Sequence, residues 1–184
     1  MDAINEPKWQ KLREDQDTDG SEKGFCRLPD VVLQHILSFL PTKDAVRTSI
    51  LSKRWEYLWT SIPNLEFSQG QCKRIHLMEF VERVFSHRDS DIKLFSITCE
   101  VLAEAGRIRR WISAAIRRNV KELYFDLNNF KKPFELPHCL FTSASVEKLF
   151  LSISCTLRLP TSICFSKLKI LHLELITFPD DHSA

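Results

Sequence analysis

The sequence predicts a mixed α+β or α/β fold, in which a unit of three short helices precedes a short, irregular solenoid of parallel strands. Apolar residues between positions 28 and 59 recur at helical spacing. Four later segments share one strand-like template and begin 28, 26 and 22 residues apart. Hydrophobic residues make up 43% of the 184 residues, which is sufficient for a folded core.

Residues 1–24 predict a disordered leader, because they are acidic and nearly free of apolar residues. Neither a signal peptide nor an apolar run of about 18 residues occurs, which favours the nucleus, the cytoplasm or both. The six cysteines are never closer than nine residues, so we expect small buried thiols of a reducing compartment. A net charge of +2 is too small to indicate a nucleic-acid partner, and no membrane partner is expected.

The predicted helical unit spans residues 25–67. A first helix opens at Leu28-Pro29-Asp30 and ends before Pro41, since proline suits the first turn and disrupts later ones. Thr42 is a candidate N-cap for a second helix, and Ser52 for a third that ends before Pro63. A unit of this size needs support from a partner or from the next domain.

The region 68–184 predicts leucine-rich repeats. Two amphipathic helices lie around 77–85 and 108–116, and the strand template reads Val120-x-x-Leu123-x-Phe125-x-Leu127 in its second copy. A period in the twenties with L-x-x-L-x-L strands is typical of a leucine-rich-repeat solenoid, although a generic α/β domain with parallel strands is the alternative. Only the second copy has an asparagine at the usual turn position, Asn128, so the repeats are irregular. We also expect the region to be incomplete at its C-terminus, because the residues after the last strand template cannot form a polar cap.

This template makes a register prediction. Strands at 122–127, 148–153 and 170–175 should be parallel and adjacent in that order. Six residues should line one stack: Leu123, Phe125, Leu149, Leu151, Leu171 and Leu173.

No catalytic, cofactor-binding or metal site is predicted. The histidines form neither HExxH nor a close pair, and GxSxG and glycine-rich phosphate loops are absent from the sequence. His138 and Cys139 are neighbours on an extended segment and should point in opposite directions. His35 is predicted to lie at the rim of the first helix.

Two surfaces remain as binding candidates. Five arginines decorate the helix near 108–116, namely Arg107, Arg109, Arg110, Arg117 and Arg118. They suggest a solvated face, with an RNA- or phosphate-binding face as the alternative. The helical unit carries more apolar surface than three helices can bury, so it should dock on a partner or pack on the solenoid.

The segment LPDVVLQHILSFLPTKDAVRTSILSKRWEYLW resembles the plant F-box over nearly its whole length, from Leu28-Pro29 to Leu58-Trp59. Residues 110–127, 136–151 and 168–183 resemble the leucine-rich region of plant F-box/FBD/LRR proteins. The resemblance implies a non-catalytic substrate receptor of an SCF-type cullin-RING ubiquitin ligase. Its F-box would bind a Skp-type adaptor, and through it a cullin, while the repeats hold an unknown protein substrate.

The resemblance also implies the adaptor-binding residues: Leu28, Pro29, Val32, Leu33, Ile36, Leu37, Leu40, Val46, Leu51 and Trp55. Family members usually have more repeats and a C-terminal FBD region. We therefore expect a shortened isoform or fragment, and the alternative function is an orphan or dominant-negative F-box protein that binds adaptor without substrate.

Overall fold

A parallel sheet with helices on one face follows the helical unit. The computed structural model describes residues 28–70 and 72–178, so the predicted leader lies outside the described residues. The helices are α1 (Asp30–Leu37), α2 (Thr42–Arg47), α3 (Arg74–Ser86), α4 (Ala105–Arg117) and α5 (His138–Phe141). The strands are β1 (Asn64–Ser68), β2 (Leu94–Leu102), β3 (Glu122–Phe130), β4 (Phe134–Glu135), β5 (Lys148–Arg158) and β6 (Ile170–Thr177).

The strands pair in the order β1-β2-β3-β5-β6, and all these pairings are parallel. The short β4 pairs only with the end of β5. Leu123 lies opposite Leu149, which lies opposite Leu171, and the row of Phe125 continues in the same register. The predicted order and register of the three strands are therefore confirmed.

The turns that lead into successive strands form a second ladder of backbone hydrogen bonds. The Lys93 amide donates to the Pro63 carbonyl at 2.7 Å, and the Lys121 amide donates to the Lys93 carbonyl at 3.2 Å. Glu147 and Lys169 continue the series, each donating to the preceding turn at 2.8 Å. This repetition is what a stack of similar repeats requires, because each repeat bonds mainly to its neighbours.

The core lies between the sheet and its helices. Alternate strand residues point inward, as the period of a strand requires, and α3 and α4 cover them. Phe67, Phe95 and Phe125 lie in neighbouring strands with ring centroids 6.0 and 5.6 Å apart in edge-to-face contacts. Leu33 of α1 belongs to the same cluster, so the helical unit and the sheet share one core.

The third predicted helix is not an α-helix. The segment after Ser52 forms turns and a 3₁₀ helix at Leu58–Ser61, in which backbone N–H groups donate hydrogen bonds to the carbonyl oxygens three residues earlier. Trp55, Tyr57 and Trp59 are poor helix formers, and burial of both indoles beside Leu58 favours the tighter turn.

The sheet begins earlier than the strand template indicated. Strand β1 begins within the predicted helical unit and pairs with β2, with Leu65 opposite Phe95 and Phe67 opposite Ile97. The template was present there as Ile62-x-x-Leu65-x-Phe67, but it stops after two strand positions because Gln69 replaces the next apolar residue.

The outermost predicted core positions are exposed. Leu171 and Leu173 of β6 keep the predicted register, yet they are 51% and 43% accessible. The segment between β5 and β6 contains no helix, and no other element of the described residues covers β6. The correct strand register therefore did not ensure that the leucine side chains of β6 are buried.

Candidate functional site

The N-terminus of α1 is held by hydrogen bonds to a residue near the end of the helical unit. Pro29 is the N-cap of α1, with φ −58° and ψ 150°, and Asp30 follows as an acidic residue at the positive end of the helix. The Arg54 side chain donates to the Asp30 carboxylate at 2.8 Å and to the Leu28 carbonyl oxygen. Residues 28–30 are thereby positioned at the surface by a residue that lies 24 positions later.

The inner side of α1 anchors the unit to the core. Leu33 and Leu37 are fully buried, and α1 packs on the 3₁₀ helix that carries Leu58 and Trp59. The Trp59 indole N–H donates to the Glu56 carbonyl at 3.0 Å, so its polar atom is satisfied as the ring is buried. Trp55 is also buried, at 8% accessibility.

The helical unit carries a set of exposed apolar residues, which we call the apolar docking set. The most accessible are Ile50, Val31 and Phe39, at 86%, 76% and 74%. The whole set is Val31, Val32, Phe39, Leu40, Ile50, Leu51 and Tyr57. Exposure of this many large apolar side chains on a unit of this size is typical of a protein interface.

The ten predicted adaptor-binding residues divide by accessibility. Exposed members are Pro29, Val32, Leu40 and Leu51, half-buried members are Leu28, Ile36 and Val46, and buried members are Leu33, Leu37 and Trp55. The buried members can support an interface only from beneath. Their role in adaptor binding remains a prediction.

Sequence reasoning missed four members of the apolar docking set: Val31, Phe39, Ile50 and Tyr57. Periodicity selects the side of a helix that faces the core, and Val31 and Phe39 lie off that side. The sequence signal that could have identified them is an apolar residue that lies outside the helical spacing of the core-facing residues.

Val46 faces a cavity rather than the outer surface. A cavity of about 330 Å³ lies between α2, β1 and α3, and its apolar lining includes Val46, Phe67 and Phe80. Lys43 and Cys72 stand at this cavity, with Nζ and Sγ 3.9 Å apart.

The open side of the sheet, opposite the helices, forms a second surface, which we call the strand face. Its residues lie in rows across the strands, because parallel register aligns equivalent positions. One row is Glu66, Ser96, Tyr124, Phe150 and His172, and the next is Ser68, Thr98, Asp126, Ser152 and Glu174. A groove of about 250 Å³ runs along the part of these two rows that lies on β2, β3, β5 and β6.

The neighbouring residues His138 and Cys139 have different surroundings. Cys139 Sγ lies 3.4 Å from Ser113 Oγ, while the neighbouring His138 is exposed. The His35 ring packs edge-on against Phe39 at 4.8 Å. Within residues 28–70 and 72–178, no group of three or more metal-ligating side chains forms and no helix is long and apolar enough to cross a membrane.

The cysteines differ from the sequence expectation. Cys99 is buried, and burial raises the pKa of its thiol to about 12. Cys72 and Cys164 are exposed, so the expectation of buried thiols was wrong for both; each lies in a segment that connects two elements rather than in a helix or strand.

Three of the five arginines on and directly after α4 contact other groups of the chain, whereas Arg109 and Arg117 are exposed. Arg107 pairs with Glu104 at 3.2 Å and with Glu82 at 3.5 Å, and Arg110 lies 3.7 Å from Glu82. Arg118 donates to the carbonyl oxygens of Phe85 and Arg88 at 3.1 and 2.7 Å. These contacts reduce the charge that the helix offers to a phosphate.

Family models match both parts of the chain. Residues 25–67 match the F-box domain, and residues 108–182 match the model described as "FBD-associated F-box protein At5g56370, LRR repeats". The chain is thus an F-box protein with leucine-rich repeats.

Curated relatives of the chain indicate its family in more detail than the family models do. It is 33% identical over 172 residues to the Putative F-box/FBD/LRR-repeat protein At5g52460 of Arabidopsis thaliana, covering 93% of this chain and 44% of the relative. It is 36% identical over 158 residues to the FBD-associated F-box protein At5g56370 of the same plant, covering 83% and 37%. The chain belongs to the plant F-box/FBD/LRR-repeat proteins and spans less than half the length of these relatives.

Membership has a coarse functional meaning. F-box domains generally bind Skp-type adaptors, and F-box/LRR proteins are generally non-catalytic adaptors for substrates of ubiquitin ligases.

Proposed function

We propose that this chain is a substrate-receptor subunit of an SCF-type cullin-RING ubiquitin ligase. The helical unit binds a Skp-type adaptor, which connects the chain to a cullin, and the repeats hold a protein substrate. The chain itself is non-catalytic, and it acts in the nucleus, the cytoplasm or both. The observation that carries the proposal is the apolar docking set, exposed on the segment that matches the F-box.

The exposure of this set argues for a partner rather than for packing on the repeats. The helical unit already contributes Leu33, Leu37 and Trp59 to the shared core, so its core-facing side is occupied. Ile50 and Val31 remain outside that core although the sheet is folded beside the unit. Truncation of an apolar anchor at the centre of an interface commonly costs about 2 kcal/mol.

Adaptor binding tests the proposal directly. The double change Leu28→Ala, Pro29→Ala and the single change Ile50→Ala should each weaken binding to a purified plant Skp-type adaptor, the double change by more than about tenfold. Isothermal titration calorimetry measures the affinity, and circular dichroism checks that helicity is intact.

Ile163 provides a matched control, because it is exposed at 50% but lies outside the helical unit. Ile163→Ala should bind adaptor as tightly as the unchanged chain. Equal affinity for the unchanged chain, Ile50→Ala and the double variant would remove the docking assignment and the ligase proposal with it.

The orphan or dominant-negative alternative makes a different prediction. Such a chain binds adaptor normally, yet its addition to a reconstituted ligase gives no ubiquitinated substrate. A reconstitution with adaptor, cullin and plant extract as the source of substrates separates the two functions. An affinity for RNA that falls steeply with salt would instead favour the arginine helix.

A further inference from the structure

The strand face carries a ladder of stacked aromatic rings. Tyr124 and Phe150 lie on neighbouring strands with ring centroids 4.3 Å apart and planes inclined by only 8°. His172 on β6 extends the ladder, 5.7 Å from Phe150. Because Phe150 covers one face of the Tyr124 ring, the other face is turned along the row toward Ser96.

Ser96 creates a slot beside that free ring face. Its small side chain stands in the row between Tyr124 and Glu66, two residues whose strands are separated by two strand spacings, or about 10 Å. A flat group stacked about 3.5 Å from the Tyr124 ring would lie above Ser96, on the next strand of the row. The groove of about 250 Å³ is lined here by Ser96, Thr98 and Asp126.

The charge of the strand face is opposite to that of the whole chain. A third row, adjacent to the row of Glu66, consists of Asn64, Leu94, Glu122, Lys148 and Ile170. The three rows hold four carboxylates, Glu66, Glu122, Asp126 and Glu174, and one lysine, Lys148. Lys148 is engaged by Glu122 at 3.2 Å. The net charge of these rows is therefore −3 with histidine neutral, whereas the chain carries +2.

We propose that the strand face binds an arginine-bearing segment of a partner protein, whose guanidinium occupies the Ser96 slot, stacks on Tyr124 and donates to the carboxylate of Asp126. This inference rests on the proposed function, since it names the class of substrate segment that the repeats hold. Arginine fits better than lysine, because a planar guanidinium stacks on an aromatic face and donates to a carboxylate at the same time. An acidic segment is repelled.

Peptide binding to the full 184-residue chain tests the proposal. The probes are fluorescein-labelled glycine/serine 12-residue peptides that contain two arginines, two lysines, two citrullines or two glutamates. Fluorescence anisotropy should show the arginine peptide binding at least about fivefold more tightly than the citrulline peptide, with lysine between them. Equal affinity for all four peptides, or preference for the glutamate peptide, overturns the proposal.

Variants locate the site. Ser96→Leu fills the slot and should abolish the preference for arginine, and Tyr124→Ala should weaken arginine binding by about fivefold. Tyr124→Phe keeps the ring and should bind normally, whereas Asp126→Asn should weaken binding by about threefold. Glu79→Gln on α3 removes the same charge from the opposite side of the molecule and should have no effect. Retained arginine preference in Ser96→Leu contradicts the slot.

Adaptor binding measured on the same variants separates the two proposals. Ser96→Leu should bind a Skp-type adaptor normally. Adaptor binding without arginine selectivity overturns only the slot, whereas arginine selectivity without adaptor binding overturns only the ligase function.

Discussion

At the scale of the residue, Arg88 shows how a charge can be a structural component. It is 2% accessible, and its Nη2 donates to the carbonyl oxygens of Ile62 and Asp91 at 2.9 and 3.1 Å and to Ser90 Oγ at 3.2 Å. Arg118 bonds in turn to the Arg88 carbonyl. Burial, and secondarily the charge of Arg118, lowers the pKa of Arg88 to about 10, so the side chain is still charged at neutral pH.

Replacement of Arg88 should destabilise the chain. Arg88→Ala leaves the Ile62 and Asp91 carbonyl oxygens without their donor and opens a cavity, so we expect a loss of about 2–4 kcal/mol in the free energy of unfolding. Urea unfolding followed by circular dichroism measures the loss. Arg83→Ala, an exposed arginine on α3, is the matched control and should change stability by less than about 0.5 kcal/mol. Similar effects of the two changes would contradict the structural role of Arg88.

At the scale of the element, β6 differs from the other strands. Its only pairing among the described residues is with β5, and Ile170, Leu171, Leu173 and Leu175 are exposed along it. The pairing slips between Ser152 and Cys155, and Leu175 adopts a φ of 57°, in the left-handed region that leucine disfavours. An apolar, unpaired edge is a template for association.

Because β6 is an exposed apolar edge strand, we expect its amide hydrogens to be weakly protected from exchange and the 184-residue chain to self-associate. Amide hydrogens of residues 170–176 should exchange much faster than those of residues 123–127, whose strand is paired on both sides. Hydrogen exchange with mass spectrometry on the monomer fraction measures the difference, and analytical ultracentrifugation measures association. Equal protection of the two strands would mean that β6 is as stable as the centre of the sheet.

The elements also show what sequence patterns can and cannot determine. The template predicted β3, β5 and β6 in register because one apolar residue at every second position is a direct consequence of strand geometry. The 3₁₀ helix at Leu58–Ser61 was not predictable from spacing, since its geometry depends on where the two indoles are buried. Exposure of Val31 and Ile50 likewise depends on which neighbours the fold supplies.

At the scale of the whole molecule, the helical unit and the sheet are parts of one core. Thr42 of α2 is 2% accessible, and its Oγ1 accepts a hydrogen bond from the Glu66 amide of β1 at 2.8 Å. The apolar cluster continues from Leu33 and Leu37 through Leu65 to the centre of the sheet. A helical unit too small to fold dependably alone is thereby completed by the repeats.

The shared core predicts cooperative unfolding. In a variant with Trp9→Phe and Trp111→Phe, tryptophan fluorescence reports only on Trp55 and Trp59, whereas far-UV circular dichroism reports on all the helices and strands. The two signals should give coincident urea transitions. Thr42→Val should shift both transitions together by about 1 kcal/mol, because it leaves the Glu66 amide without its acceptor. Two separate transitions, or a shift in fluorescence alone, would contradict the shared core.

Strand β1 follows the helical unit in the chain and forms the first strand of the sheet, so the junction offers no hinge. In a ligase assembly of the proposed kind, the adaptor-bound helical unit and the strand face would then move together as one rigid body. The direction in which a held segment leaves the strand face would be fixed relative to the adaptor, with no swivel at the junction to compensate. Which lysine of a substrate comes within reach of the transferring subunit would consequently depend on the substrate's own length and flexibility beyond the held segment. A flexible insertion between Ile62 and Asn64 would restore such a swivel only if the contacts between the helical unit and the sheet also broke, among them the hydrogen bond from the Glu66 amide to Thr42 Oγ1.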